Sequence, residues 1–110
     1  MRKRIGMVIG IKPDQIEAYK KVHAASNPGV RDLLQKANMS NFSIFIRKLD
    51  DGRYYLFNYY EYVGSDFEGD MAKLAAEPRN NEWLLVTDAM QIPLEGQKTW
   101  ALMEEVYHND

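Results

Sequence analysis

The chain contains no cysteine among its 110 residues. Disulfide staples, thiolate nucleophiles and cysteine-ligated metals are thereby excluded, and a reducing compartment is compatible with the composition. An excess of either charge is missing too. Fourteen Lys and Arg against sixteen Asp and Glu leave a formal net charge of −2, too weak a field to steer a nucleic acid or an anionic membrane surface. The basic Met1–Arg4 start is too short for a nucleic-acid arm, and no apolar signal core follows it. No apolar run approaches the roughly 18 residues of a membrane span. Glycine-rich phosphate loops, G-x-S-x-G elbows and the H-x-x-E or H-x-x-x-H spacings of metal sites are lacking as well, which removes most support for nucleotide, covalent and metal chemistry. The expectation is a cytoplasmic protein with no nucleic-acid or membrane partner. Without a linker or composition break, residues 1–110 read as one domain.

Aromatic residues are plentiful: seven Tyr, four Phe and two Trp. Their amphipathic rings suit core packing first, and sugar or aromatic ligands and interfaces as well. Residues 4–11 alternate Ile5, Met7, Ile9 and Ile11 with Gly6, Val8 and Gly10, the period of a strand, with close backbone approach possible at the glycines. After Pro13-Asp14, residues Ile16, Tyr19, Val22 and His23 recur at helical spacing. Asn27-Pro28 has the form of an N-cap and first-turn proline for a second helical piece over 29–37. Residues 41–48 and 53–62 read as strands joined by a hairpin at Asp51-Gly52. Ser65 and Glu68 have the spacing of a capping box for a helix that runs towards Pro78. A short helix over 81–90 and a strand over 99–107 complete the chain.

The order β-α-β-β-α-β specifies a ferredoxin-like α+β fold, an antiparallel sheet with helices over one face. That arrangement leaves the other face bare, and Phe45, Tyr54 or Tyr55, Tyr59, Met103 and Tyr107 are placed on it. Face-to-face packing of two sheets in a homodimer would cover so large an apolar patch.

Tyr19 and His23 lie one helical turn apart. A histidine exchanges protons near neutral pH, and a tyrosine beside it can bind the same ligand. The spacing by itself favours a plainer reading, a half-buried core ring and a helix-end histidine. Trp83 suits the apolar face of a sugar or the core. Asp88 is either a hydroxyl acceptor or a residue bonding its own backbone near a helix end. His108 reads as a solvated tail residue.

Taken in order, these residues resemble the L-rhamnose mutarotase family. The opening strand is followed by P-D, then by E-x-Y-x-x-x-H as Glu17, Tyr19 and His23, and by Pro28. N-F-S-I follows at Asn41–Ile44, W-x-x-x-T-D-x-M at Trp83, Thr87, Asp88 and Met90, and M-E-E-V-Y-H near the C-terminus. The resemblance implies a dimeric α+β barrel that interconverts the α and β anomers of L-rhamnose without a cofactor. It implies that His23 is the proton donor and Tyr19 a sugar contact, with further contacts from an N-Y-x-I tyrosine and a W-W pair. Phe42 stands at that tyrosine's position and Glu82 at the first tryptophan's, with Trp83 as the second. His23-Ala24-Ala25-Ser26-Asn27-Pro28 replaces the family's H-N-P-x-W-P; with the changes at Phe42 and Glu82, a deoxy or uncommon L-sugar is easier to defend as substrate than L-rhamnose itself. Two other readings remain at this level. One is a cofactor-independent monooxygenase of the dimeric α+β barrel type, and the other a non-catalytic sugar-binding dimer.

Overall fold

The computed structural model describes residues 2–110. Its central strand is β1, Lys3–Ile11, antiparallel to β3, Tyr54–Tyr62, in unbroken register from Lys3 opposite Tyr62 to Ile11 opposite Tyr54. The odd residues Ile5, Ile9 and Ile11 of β1 and the even residues Leu56, Asn58, Tyr60 and Tyr62 of β3 are buried on one face. Ile9, Ile11 and Leu56 are the largest side chains fully enclosed there, each contributing about 1.5–3 kcal/mol by leaving water.

On the far side of β3 lies β2, Met39–Lys48, which makes the Asp51-Gly52 hairpin with it. The turn closes through Leu49 N–H donating to Arg53 O and Gly52 N–H donating to Leu49 O. Register slips between Ser40 and Ser43, where Asn41 and Phe42 oppose the single residue Tyr60. This bulge brings Met39 and Phe42, three residues apart, onto the same face, and Asn41 takes the left-handed conformation it requires (φ 53°).

The free edge of β1 is shared by two short strands. β4, Gln91–Ile92, pairs with Gly10 and Ile11, and β5, Ala101–Met103, pairs with Gly6–Val8. A Cβ on Gly10 would come within 2.7 Å of the Ile92 carbonyl oxygen, so glycine is needed at that crossing. The sheet order β2-β3-β1-β4, with β5 also on β1 and every pairing antiparallel, is the ferredoxin-like α+β arrangement.

Four short helices connect the strands. α1 (Ile16–Val22) and α2 (Arg31–Lys36) lie between β1 and β2, and α3 (Phe67–Ala75) and α4 (Pro78–Asp88) between β3 and β4. They enclose two hydrophobic clusters, one around Ile5, Met39 and Tyr60 and one around Ile9, Ile11, Tyr19 and Leu56. No helix among the described residues is long and apolar enough to cross a membrane.

Several local expectations are corrected. Asp66, not Ser65, caps α3, its carboxylate accepting from Gly69 N–H at 3.1 Å. Asn27-Pro28 does not open α2, which starts three residues later with Val30 as its N-cap residue, after Gly29 at φ 54°. α4 begins at Pro78, earlier than residue 81, because proline is tolerated in a first helical turn. The expected strand over 99–107 shortens to Ala101–Met103, leaving Tyr107 in an exposed tail. On the outer sheet face Phe45 is 65 % exposed and Met103 is 39 % exposed. By register Tyr55 and Tyr59 share that face, whereas Tyr54 turns inward against the second cluster.

Candidate active site

Between the helices and the inner sheet face opens a cleft of about 980 Å³, lined by Tyr19, His23, Phe42 and Trp83 together. A volume of this order suits a small ligand with its water, since such sites run from roughly 300 to 1,000 Å³.

Tyr19 is buried on the inner face of α1, and His23 stands at the end of that helix. The helix stops cleanly because its last carbonyls find side-chain partners. Asn27 Nδ2 donates to Val22 O at 3.0 Å, and Arg31 Nη2 donates to His23 O at 2.9 Å and Ala24 O at 3.0 Å. Arg31 thus fixes the turn on which the histidine sits.

His23 Nδ1 lies 2.7 Å from Tyr19 O. A carbonyl only accepts, so Nδ1 carries the proton, and in the neutral ring Nε2 is the basic nitrogen. Burial lowers the His23 pKa from its ordinary 6.5; the hydrogen bond to Tyr19 opposes this, and the nearby Arg31 charge reinforces it. Neutral imidazole is therefore the resting form at physiological pH. On its other side the Tyr19 hydroxyl accepts from Gln91 Nε2 at 3.3 Å, leaving its own proton free to be donated. Burial raises the Tyr19 pKa, the Gln91 hydrogen bond offsets part of that, and Asp88 adds a small rise.

The rings form a continuous wall. Tyr19 and His23 centroids are 4.2 Å apart, and His23 meets Trp83 edge to face at 5.1 Å. Trp83 rests on Gly29, where an added Cβ would come within 3.1 Å of the indole. Opposite, Phe42 stacks on Tyr60 with centroids 5.5 Å apart and planes 9° from parallel.

Two candidate residues are not brought into this cleft. Glu82 is exposed and does not line it; on α4 the lining residues are Asn80, Trp83, Leu84 and Thr87. Each helical residue turns about 100°, so the face that presents Trp83 to the cleft also presents Leu84 and carries Glu82 away. Asp88, exposed at the end of α4, does not line the cleft either and acts only through its charge. Val86, which shares helical spacing with Trp83 in the sequence, is 47 % exposed. Residues that sequence spacing did not mark are Gln91, Arg31, Asn58, Tyr60 and Trp100, which all line the cleft. No cluster of three metal-ligating side chains occurs among the described residues.

Residues 4–109 match the model of the L-rhamnose mutarotase family. The chain belongs to the L-rhamnose mutarotase family. Members of this mutarotase family are carbohydrate isomerases. In structure the chain is similar to an L-rhamnose mutarotase from Formosa agariphila, with a TM-score of 0.72 and 21% sequence identity over 98% of this chain and 99% of that one. It is also similar to an antibiotic biosynthesis monooxygenase, with a TM-score of 0.52 and 18% identity over 97% of this chain and 100% of that one. At these identities both likenesses speak for a shared fold. No curated protein matches the chain in sequence.

Proposed function

We propose that this mutarotase-family chain interconverts the α and β anomers of L-rhamnose or a closely related L-sugar in the cleft, by general acid/base catalysis and without a metal or organic cofactor. The observation that carries the reading is the directed chain of hydrogen bonds Gln91 to Tyr19 and His23 to Tyr19 O, which leaves a basic nitrogen and a free hydroxyl proton on adjacent rings.

Ring opening breaks the C1–O5 bond. His23 Nε2 takes the proton of the anomeric hydroxyl, while Tyr19, or a water it holds, delivers a proton to O5. After rotation about C1–C2, O5 attacks the other face of the aldehyde and gives up its proton, and the His23 imidazolium returns the first one to O1. Atoms and protons balance over the cycle, and the two groups alternate as acid and base. The direction differs from the role that the family resemblance suggests for His23, because a ring whose Nδ1–H is held by a carbonyl and whose pKa is lowered starts as a base. Trp83 offers its indole to the apolar side of the pyranose. The working form is proposed to be a homodimer joined through the outer sheet face, where Phe45 and Met103 lie open.

Saturation-transfer NMR on L-rhamnose, L-fucose and related L-sugars tests this. Faster anomer exchange with the wild-type protein, lost in His23→Ala with the fold retained, is the expected result; unchanged exchange in that variant would sink the mechanism. Oxygen uptake with a polyphenol in place of sugar exchange would assign the cleft to monooxygenase chemistry instead.

A further inference from the structure

Two side chains of β3 face the cleft from the sheet and have no task in the acid/base cycle. Asn58 sits opposite Met7 of β1, which packs against the first hydrophobic cluster, and Ile44 of β2, which packs against the second. It lines the cleft, is only 3 % exposed, and its Oδ1 has no hydrogen-bond partner from the protein. An enclosed amide oxygen without a partner loses its hydration with no return, and an aliphatic side chain of the same size would fill this row at lower free energy. Two residues on, along the same face, Tyr60 lines the cleft as well. Burial alone raises its hydroxyl pKa, with neither hydrogen bond nor charge contributing. Its ring is the one on which Phe42 stacks, so this wall of the cleft carries a hydroxyl although Phe42 does not.

An amide and a phenol side by side, both uncharged and both short of partners, suit a ligand rich in neutral groups that donate and accept at once. Sugar hydroxyls are such groups. The pair approaches from the sheet, whereas Tyr19 and His23 approach from α1. We propose that Asn58 and Tyr60 read the sugar's ring hydroxyls away from the anomeric carbon, and thereby determine which monosaccharide the cleft accepts. This rests on the reading of the cleft as a sugar site.

The test compares wild type, Asn58→Leu and Tyr60→Phe by anomer-exchange kinetics on L-rhamnose, L-fucose and their deoxy analogues, with thermal melts of each protein. Asn58→Leu is expected to raise Tm, because it removes the orphaned oxygen, while KM rises about tenfold or more, the effect of one good hydrogen bond. Tyr60→Phe keeps the stack on Phe42 and is expected to raise KM similarly, with kcat within about threefold of wild type. For each variant the loss should vanish on the deoxy sugar that lacks the contacted hydroxyl. If Asn58→Leu lowers Tm and slows every sugar in proportion, Asn58 is structural and the proposal is overturned. Unchanged KM in both variants, beside an active wild type, overturns it while leaving the sugar reading standing. A wild type that neither binds nor interconverts any sugar of the panel overturns both.

Discussion

His23 donates through Nδ1 to the backbone carbonyl of Tyr19, 2.7 Å away and one helical turn earlier. The residue that supplies a hydroxyl to the cleft thus also sets the tautomer of its neighbour. Replacing the Tyr19 side chain leaves this carbonyl in place, so the roles of the two residues are separable by mutation.

The first consequence concerns pH. Burial holds the His23 pKa below 6.5, so the basic form persists to lower pH than for a free histidine. Exchange activity is expected to stay flat from pH 8 down through about 6.5 and to fall only under more acid conditions. His23→Asn should abolish that acid limb and lower kcat by about 10²- to 10⁴-fold. Stability follows the same sign. The unfolded state binds the proton more readily, so His23's contribution is intact above about pH 6.5 and is lost as pH falls through the lowered folded value. An activity maximum on the acid side of 6.5 would contradict the assignment of a resting base.

A second consequence concerns Gln91, which is buried and touches Tyr19 across 72 residues of sequence. Its role is to position the tyrosine hydroxyl. Gln91→Leu removes the donor, frees the hydroxyl to turn, and should lower kcat with KM nearly unchanged. Tyr19→Phe should cost at least as much, and the double variant no more than Tyr19→Phe alone, because the two act as one unit. Fully additive losses in that cycle would show that Gln91 acts elsewhere.

How far this site could be read from sequence depended on which contacts are local. Tyr19 and His23 stand out because helical spacing joins them, and Ile5, Ile9 and Ile11 because strand spacing does. In β3 the run Y-Y-L-F-N-Y-Y-E-Y is aromatic on both faces, so alternation alone does not tell which side holds Asn58 and Tyr60. The bulge that aims Phe42 inward depends on how β2 registers with β3, and Gln91 meets Tyr19 only after the chain has closed on itself. Glu82 stands outside the cleft by a single helical step from Trp83. One residue turns a side chain by about 100°, enough to take it from cleft to solvent.

Gly29 offers a prediction that joins packing to function. It holds φ at 54° and lies against the Trp83 ring. Gly29→Ala would incur about 1–2 kcal/mol for the left-handed backbone and would also press on the indole. Tm should fall by several degrees, tryptophan fluorescence should shift, and KM should rise more than kcat falls. A variant with the wild-type melt and KM would show that the indole does not depend on this contact.

Ser65 and Asp66 are distinguishable by a simple pair of substitutions. Asp66 accepts from Gly69 N–H, whereas α3 has Ser65 outside its cap. Asp66→Ala should lower stability by about 0.5–2 kcal/mol, and Ser65→Ala should leave the melt within experimental error. Neither residue lines the cleft, so KM and kcat should stay at wild-type values in both. A larger loss for Ser65→Ala would return the cap to the serine.

The proposed dimer turns on Phe45, which is 65 % exposed on β2 and pairs in register with Phe57 on the outer face. A ring of that size left in water forgoes much of the free energy its burial would supply. Contiguous apolar patches of several hundred Å² on a sheet usually have a partner. Phe45→Lys places a charge in the middle of that surface. Sedimentation should then show monomers where the wild type shows dimers, at equal protein concentration. Because Phe45 belongs to neither hydrophobic cluster, far-UV circular dichroism should remain native, which separates lost association from lost folding. A wild type that sediments as a monomer at every concentration would remove the outer face from the interface and leave the cleft chemistry untouched.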